Sequence, residues 1–254
     1  MTKYKRPLIL VCNDDGIFSN GIKALAEVAD EFGDVEIVAP DRQQSAVGHA
    51  ITIQTPLRAR SFRIDDRFNG QAVSGTPADS IKLAHNQLLN RKPDLVVSGI
   101  NHGSNAGINI LYSGTVSAAT EGTILGYPSI AFSCTDFDEK ADLSGCKDAA
   151  RKVIGYVLNH GLPKGVTLNL NAPAGELKGI KWVRQANSRY VEEFEGRIDP
   201  NNRSYYWMTG KFQMLDEDED NDISAIERGF ASLTPIQYDL TAYSLLNDLK
   251  EIDL

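Results

Sequence analysis

The residues best suited to chemistry in this chain stand together at Asn13-Asp14-Asp15-Gly16, directly after the apolar run Leu8-Ile-Leu-Val-Cys12. Two neighbouring carboxylates repel each other unless positive charge lies beside them. A hard divalent cation supplies that charge and prefers oxygen ligands. The first expectation is a metal site at Asp14 and Asp15, with the same pair as the acid–base groups of the reaction. The competing reading is local: one of the acids caps the next helix or builds a turn before Gly16.

The elements that would position this pair follow from patterning. A short run of branched apolar residues reads as a strand buried on both faces. In open α/β sheets, ligands collect beyond the carboxyl ends of such strands. Gly21–Phe32 carries Ile22, Leu25, Ala26 and Ala29 at helical spacing, with Asn20 as expected N-cap. Val35–Ala39 reads as a second strand ended by Pro40, which opens a parallel sheet with right-handed crossovers. Ile51–Ile64 alternates as hairpin strands do, with a turn expected around Asn69-Gly70. Thr76, Pro77 and Asp79 form a capping box at a helix start, and the helix is expected to run to about Asn90. Asp94–Ser98 and Ser129–Cys134 read as strands, Tyr112–Glu121 and Leu143–Leu158 as helices, and Val166–Leu170 as the last clear strand of the series.

After Pro173 the character changes to extended pieces, Ile180–Arg184 and Tyr205–Thr209, separated by a polar stretch. The expected fold is α/β: a Rossmann-like, mostly parallel sheet flanked by helices, with a β-rich C-terminal extension used in oligomerisation. Residues 1–175 form the core that carries the site. Residues 176–254 form a hairpin and C-terminal segment of the same domain, reaching a neighbouring subunit.

Four loops, Asn13–Gly16, Asp41–His49, Asn101–Asn105 and Ser113–Thr115, fall at the carboxyl ends of predicted strands or at the helix entry that follows one, and so can converge. They offer two carboxylates, hydroxyls, side-chain amides and a glycine-containing helix N-terminus. Backbone N–H groups after Ser113-Gly114-Thr115 suit a phosphate. Mg2+ or Mn2+ held beside them would bridge to a phosphoryl oxygen and activate a water. The reaction implied is metal-assisted hydrolysis of a phosphomonoester.

The chain has 254 residues and a formal net charge of −8, without the basic face that duplex binding needs. Its three cysteines, Cys12, Cys134 and Cys146, are widely spaced, which fits buried thiols in a reducing compartment. No signal-peptide pattern and no apolar run of membrane-spanning length is present, so the expectation is a cytoplasmic protein with neither duplex nucleic acid nor membrane as partner.

Five ordered motifs, Asn13–Gly16, Ala39–Ser45, Ser74–Asp79, Ser98–Asn105 and Tyr112–Val116, together with Ser232–Ile236 and Asp239–Thr241, resemble the signatures of the SurE family of stationary-phase survival proteins, metal-dependent 5′-nucleotidases. The resemblance covers the whole chain. It implies metal ligands at Asp14, Asp15, Ser45 and Asn101 and phosphate contacts around Asn105, Ser113, Gly114 and Thr115. It also implies release of phosphate from nucleoside 5′-monophosphates, often from 3′-monophosphates, and in some members from short polyphosphate. Homodimers or homotetramers with exchanged C-terminal segments are implied as well. His102 stands where the family motif varies, and no role is carried onto it.

Other features weigh differently. His49 lies in the second loop and could contact substrate, but no second histidine or cysteine stands at zinc-ligand spacing. Asp216–Glu227 nearly matches a calcium loop, yet it lacks an entering helix and reads as a solvated acidic turn. An aspartyl-nucleophile phosphatase places its two acids one residue apart, unlike Asp14-Asp15. A dinucleotide-binding module would need a glycine-rich turn after the first strand. The remaining alternative is a non-hydrolytic nucleotide-binding oligomer with a structural metal.

Overall fold

The structure is a computed structural model that describes residues 6–250 and 252. In chain order the elements are β1 (Leu8–Cys12), α1 (Asn20–Asp30), β2 (Asp34–Pro40), β3 (Ala59–Arg63), β4 (Asn69–Val73), α2 (Pro77–Leu83) and β5 (Leu95–His102). There follow α3 (Gly114–Ile124), β6 (Ser129–Cys134), α4 (Ser144–His160), β7 (Val166–Ala172), β8 (Ile180–Trp182), β9 (Ser188–Val191), β10 (Phe194–Ile198), β11 (Ser204–Met208), β12 (Lys211–Met214), α5 (Asp222–Glu227), β13 (Ala231–Gln237) and α6 (Tyr243–Leu249).

Nine strands form one sheet in the order β3-β4-β2-β1-β5-β6-β7-β13-β8. From β4 to β7 every pairing is parallel. All five residues of β1 are buried, as are Leu95–Asn101 and the whole of β6, which is why these strands read as unbroken apolar or small-residue runs. The chain winds outward from β1 to β2 on one side and returns to β5 on the other, so β1 and β5 bracket the topological switch point. Such a crevice is where open α/β sheets bind ligands. α1 packs across β5 so closely that a Cβ on Gly21 would lie 1.9 Å from the Ile100 carbonyl oxygen.

Several sequence expectations are corrected. Ser19, not Asn20, caps α1, its hydroxyl accepting from the Ile22 N–H at 3.3 Å. The helix after Thr76 keeps its capping box but ends as α-helix at Leu83 and continues as a π-turn over Ala84–Leu88. Only the end of Ile51–Ile64 is a strand. The hairpin turn lies at 64–68 because the Asp65 carboxylate accepts from the N–H groups of Arg67 and Phe68, at 2.7 and 2.9 Å. Asn69-Gly70 opens β4 instead. The parallel series does not end the sheet at β7: β13 pairs antiparallel with β7 and carries β8 outside it. That pairing was hidden from the sequence because its partners are some sixty residues apart.

The acidic stretch is not uniformly solvated either. Asp222 is fully buried and accepts from the backbone N–H groups of Gly107 and Ala186, each at 2.9 Å. Burial raises its titration above the usual carboxylate range, with those N–H donors opposing. Replacing Asp222 by Ala strands two buried donors, at a cost of about 3 kcal/mol. A thermal unfolding midpoint roughly 6–12 °C below the parent is the expected result.

Candidate functional site

The rim at the carboxyl ends of β1, β2 and β5 is stitched together by hydrogen bonds that start from the Asp14-Asp15 pair. The Asn13 side chain donates to the Gly16 carbonyl at 3.1 Å and to Ser19 Oγ at 2.7 Å, which fixes the turn after β1. Gly16 adopts φ +97°, a left-handed conformation that glycine enters without steric cost. The Asp14 carbonyl accepts from Gln44 N–H at 2.7 Å and Asp15 Oδ1 from Gln43 Nε2 at 3.3 Å, so the loop after β2 lies against both acids. Ser45 is the next residue of that loop and is exposed. Asp15 Oδ2 accepts from His102 N–H at 3.3 Å, which ties β5 to the same pair. Asn101 is nearly buried. Its amide nitrogen donates to the Gly103 carbonyl at 2.8 Å, leaving the carbonyl oxygen available.

The entry to α3 closes the other side. Ser113 caps the helix, its Oγ accepting from Val116 N–H at 3.0 Å. The Thr115 hydroxyl donates to Asp14 Oδ1. A Cβ at Gly114 would sit 2.8 Å from the Asp14 Cβ, so only glycine lets the helix start approach this close. The two hydroxyls of the expected phosphate cradle are thus engaged inside the protein. Of the backbone N–H groups at the start of α3, that of Val116 goes to Ser113 Oγ and that of Thr115 to the Asp14 carboxylate, which leaves that of Gly114 as the anion-binding feature.

Asn105 belongs to a network that the sequence reading did not single out. Its backbone N–H donates to Asn171 Oδ1 at 2.7 Å, and its carbonyl accepts from Asn169 Nδ2 at 2.9 Å. Its own amide nitrogen donates to Ser133 Oγ at 2.9 Å. The signal was present: Leu168-Asn-Leu-Asn alternates polar and apolar on a strand with both faces buried. A second missed network joins His49 Nε2 and Lys82 Nζ to the buried Glu121 carboxylate at 2.9 and 2.7 Å. It anchors the far end of the Ser45 loop to α3.

The electrostatics of the pair are unfavourable without a counter-ion. Burial pushes Asp14 up to about 6, reinforced by the Asp15 charge and opposed by the Thr115 hydrogen bond. Burial also raises Asp15, against the His102 N–H. Neither has a lysine or arginine beside it among the described residues. Asn13 Oδ1, Ser98 Oγ and both ring nitrogens of His102 are buried without a partner at the same rim. A buried carboxylate beside a half-buried one is the kind of oxygen-donor pair that a hard divalent cation takes.

Comparison with known proteins gives a consistent result. The family model described as "Survival protein SurE" matches residues 9–192. The chain is 49% identical over 255 residues to the 5′-nucleotidase SurE of Christiangramia forsetii, covering 98% of both chains. It is 52% identical over 248 residues to that of Cytophaga hutchinsonii, covering 96% of both. The crystal structure of the SurE protein from Aquifex aeolicus superposes with a TM-score of 0.83 at 42% identity, over 96% of this chain and 99% of that one.

Proposed function

Because this chain belongs to the SurE family, we propose that it is a metal-dependent phosphomonoesterase that hydrolyses nucleoside 5′-monophosphates, and 3′-monophosphates as well, to nucleoside and phosphate. The observation that carries the reading is the convergence of the loop after β2, the end of β5 and the start of α3 on the Asp14–Asp15 pair after β1. The curated names of the relatives support a nucleotidase over a non-hydrolytic binding oligomer.

The residues divide the work as follows. Asp14, Asp15, Ser45 and Asn101 would hold the cation, Mg2+ or Mn2+. When bound, such an ion stabilises charge on the phosphoryl oxygens and lowers the pKa of water. The N–H of Gly114, at the positive end of the α3 dipole, orients the phosphate. Asn105, gripped by Asn169 and Asn171, supplies a fixed polar edge beside it. The attacking water gives its proton to the carboxylate pair. Thr115 donates to Asp14 Oδ1, and Gln43 and His102 donate to the two oxygens of Asp15, so both acids are held in place by hydrogen bonds.

We place the oligomer contact on the β10–β11 ribbon and α6. The ribbon exposes Phe194, Tyr206, Trp207 and Met208, and α6 exposes Leu245 and Leu249. Two strands and a short helix bury too little to hold such residues alone, and a second copy of the chain would cover them. No helix among the described residues is long and apolar enough to cross a membrane.

The test is phosphate release from adenosine 5′-monophosphate. Mg2+ or Mn2+ should support turnover, and excess chelator should reduce it at least 100-fold, with activity restored by adding the ion back. Full activity in chelator would overturn the proposal.

A further inference from the structure

A cavity of about 390 Å3 opens directly beside Asp15, and Phe18, Arg42, Gln43, His102, Phe137 and Glu139 are among its walls. We infer that this cavity receives the nucleoside of the substrate, with Phe137 as the stacking platform for the base. The inference rests on the nucleotidase reading and extends it to the residues that distinguish a nucleotide from any other phosphomonoester.

Three observations support it. The cavity shares Asp15 and Gln43 with the rim, so it opens next to the expected metal residues. A larger cavity of about 740 Å3 lies along α3 and β13 and includes none of the expected metal or phosphate residues. Phe137 is 80% exposed, yet its ring is seated on the site loop: a Cβ at Gly103 would lie 2.5 Å from Phe137 Cε1. An exposed aromatic face held in place without a partner of its own suits base stacking, which tolerates any base.

Charge selects the class of occupant. Asp15, Asp41 and Glu139 line the cavity against Arg42, so a second phosphate is disfavoured and the neutral end of the substrate fits better.

The experiment compares kcat/KM for adenosine 5′-monophosphate with that for ribose 5-phosphate, which lacks the base. In Phe137→Ala the ratio of the two should fall on the order of tenfold, the loss expected for a stacking contact. Phe137→Tyr should keep the parent ratio. An unchanged ratio, or an equal loss on both substrates, overturns the inference. Calorimetric titration of adenosine into the protein separates this from the enzymatic reading. Should neither phosphate ester be hydrolysed, the nucleotidase proposal fails. Weaker adenosine binding in Phe137→Ala still supports the subsite, whereas equal binding in parent and variant, or none in the parent, overturns it.

Discussion

Asp14→Asn is expected to lose at least ~100-fold in phosphate release while keeping the fold. Changes one shell further from a bound metal typically cost 10–100-fold, and this one removes a charge from the pair itself. The amide keeps the shape of the carboxyl and can still accept from the Thr115 hydroxyl. Its effect on stability should have the opposite sign. Asp14 ionises near 3.8 in the unfolded chain, but burial, reinforced by Asp15, holds it up to about 6 in the folded protein. Between these values the native state binds the extra proton, so stability of the metal-free protein falls as pH rises through about 4 to 6 and stays low above. A two-unit gap corresponds to about 3 kcal/mol. Chelator-treated Asp14→Asn should therefore unfold at a higher temperature than the parent at pH 8, with the advantage gone below pH 4. Thermal unfolding of both proteins across that range measures it. A variant no more stable than the parent at pH 8 contradicts the account of Asp14 as a charge held under strain for a cation.

Gly21→Ala should be the most damaging single methyl in the molecule. The added carbon would meet backbone on both sides of the contact, 1.9 Å from the Ile100 oxygen and 2.9 Å from its carbonyl carbon. No side chain can rotate away, so α1 must lift from β5. Overpacking of a well-packed interior costs roughly 1–3 kcal/mol and more when backbone has to move. At the upper end the melting midpoint drops by roughly 6–12 °C. Ile100 directly precedes Asn101, so the displacement reaches the rim as well as the core. Titration with Mn2+ should show weaker binding in the folded fraction of the variant, by tenfold or more. Unaltered binding would show that the rim tolerates movement of β5.

The chemistry of the rim was legible in the sequence because each contributing loop carries local punctuation. Asn13–Gly16 follows an apolar run, Pro40 ends a strand, and Ser113-Gly114 opens a helix. Each is a short-range signal of strand end or helix start, and the carboxyl ends of parallel strands share one edge by topology. The capping box of Thr76 and Asp79 was readable for the same reason. Tertiary structure alone decided the rest. Which oxygens of Asp14 and Asp15 are engaged depends on Thr115 and His102, each almost ninety residues or more away in the chain. The place of β13 against β7 and the burial of Asp222 under Gly107 and Ala186 are likewise long-range pairings. The cavity beside Asp15 takes part of its wall from Phe137, which comes to rest on Gly103. Local propensity fixes where a chain turns, while hydrogen bonds and contacts between distant segments are set by how the buried faces of the sheet and helices fit together.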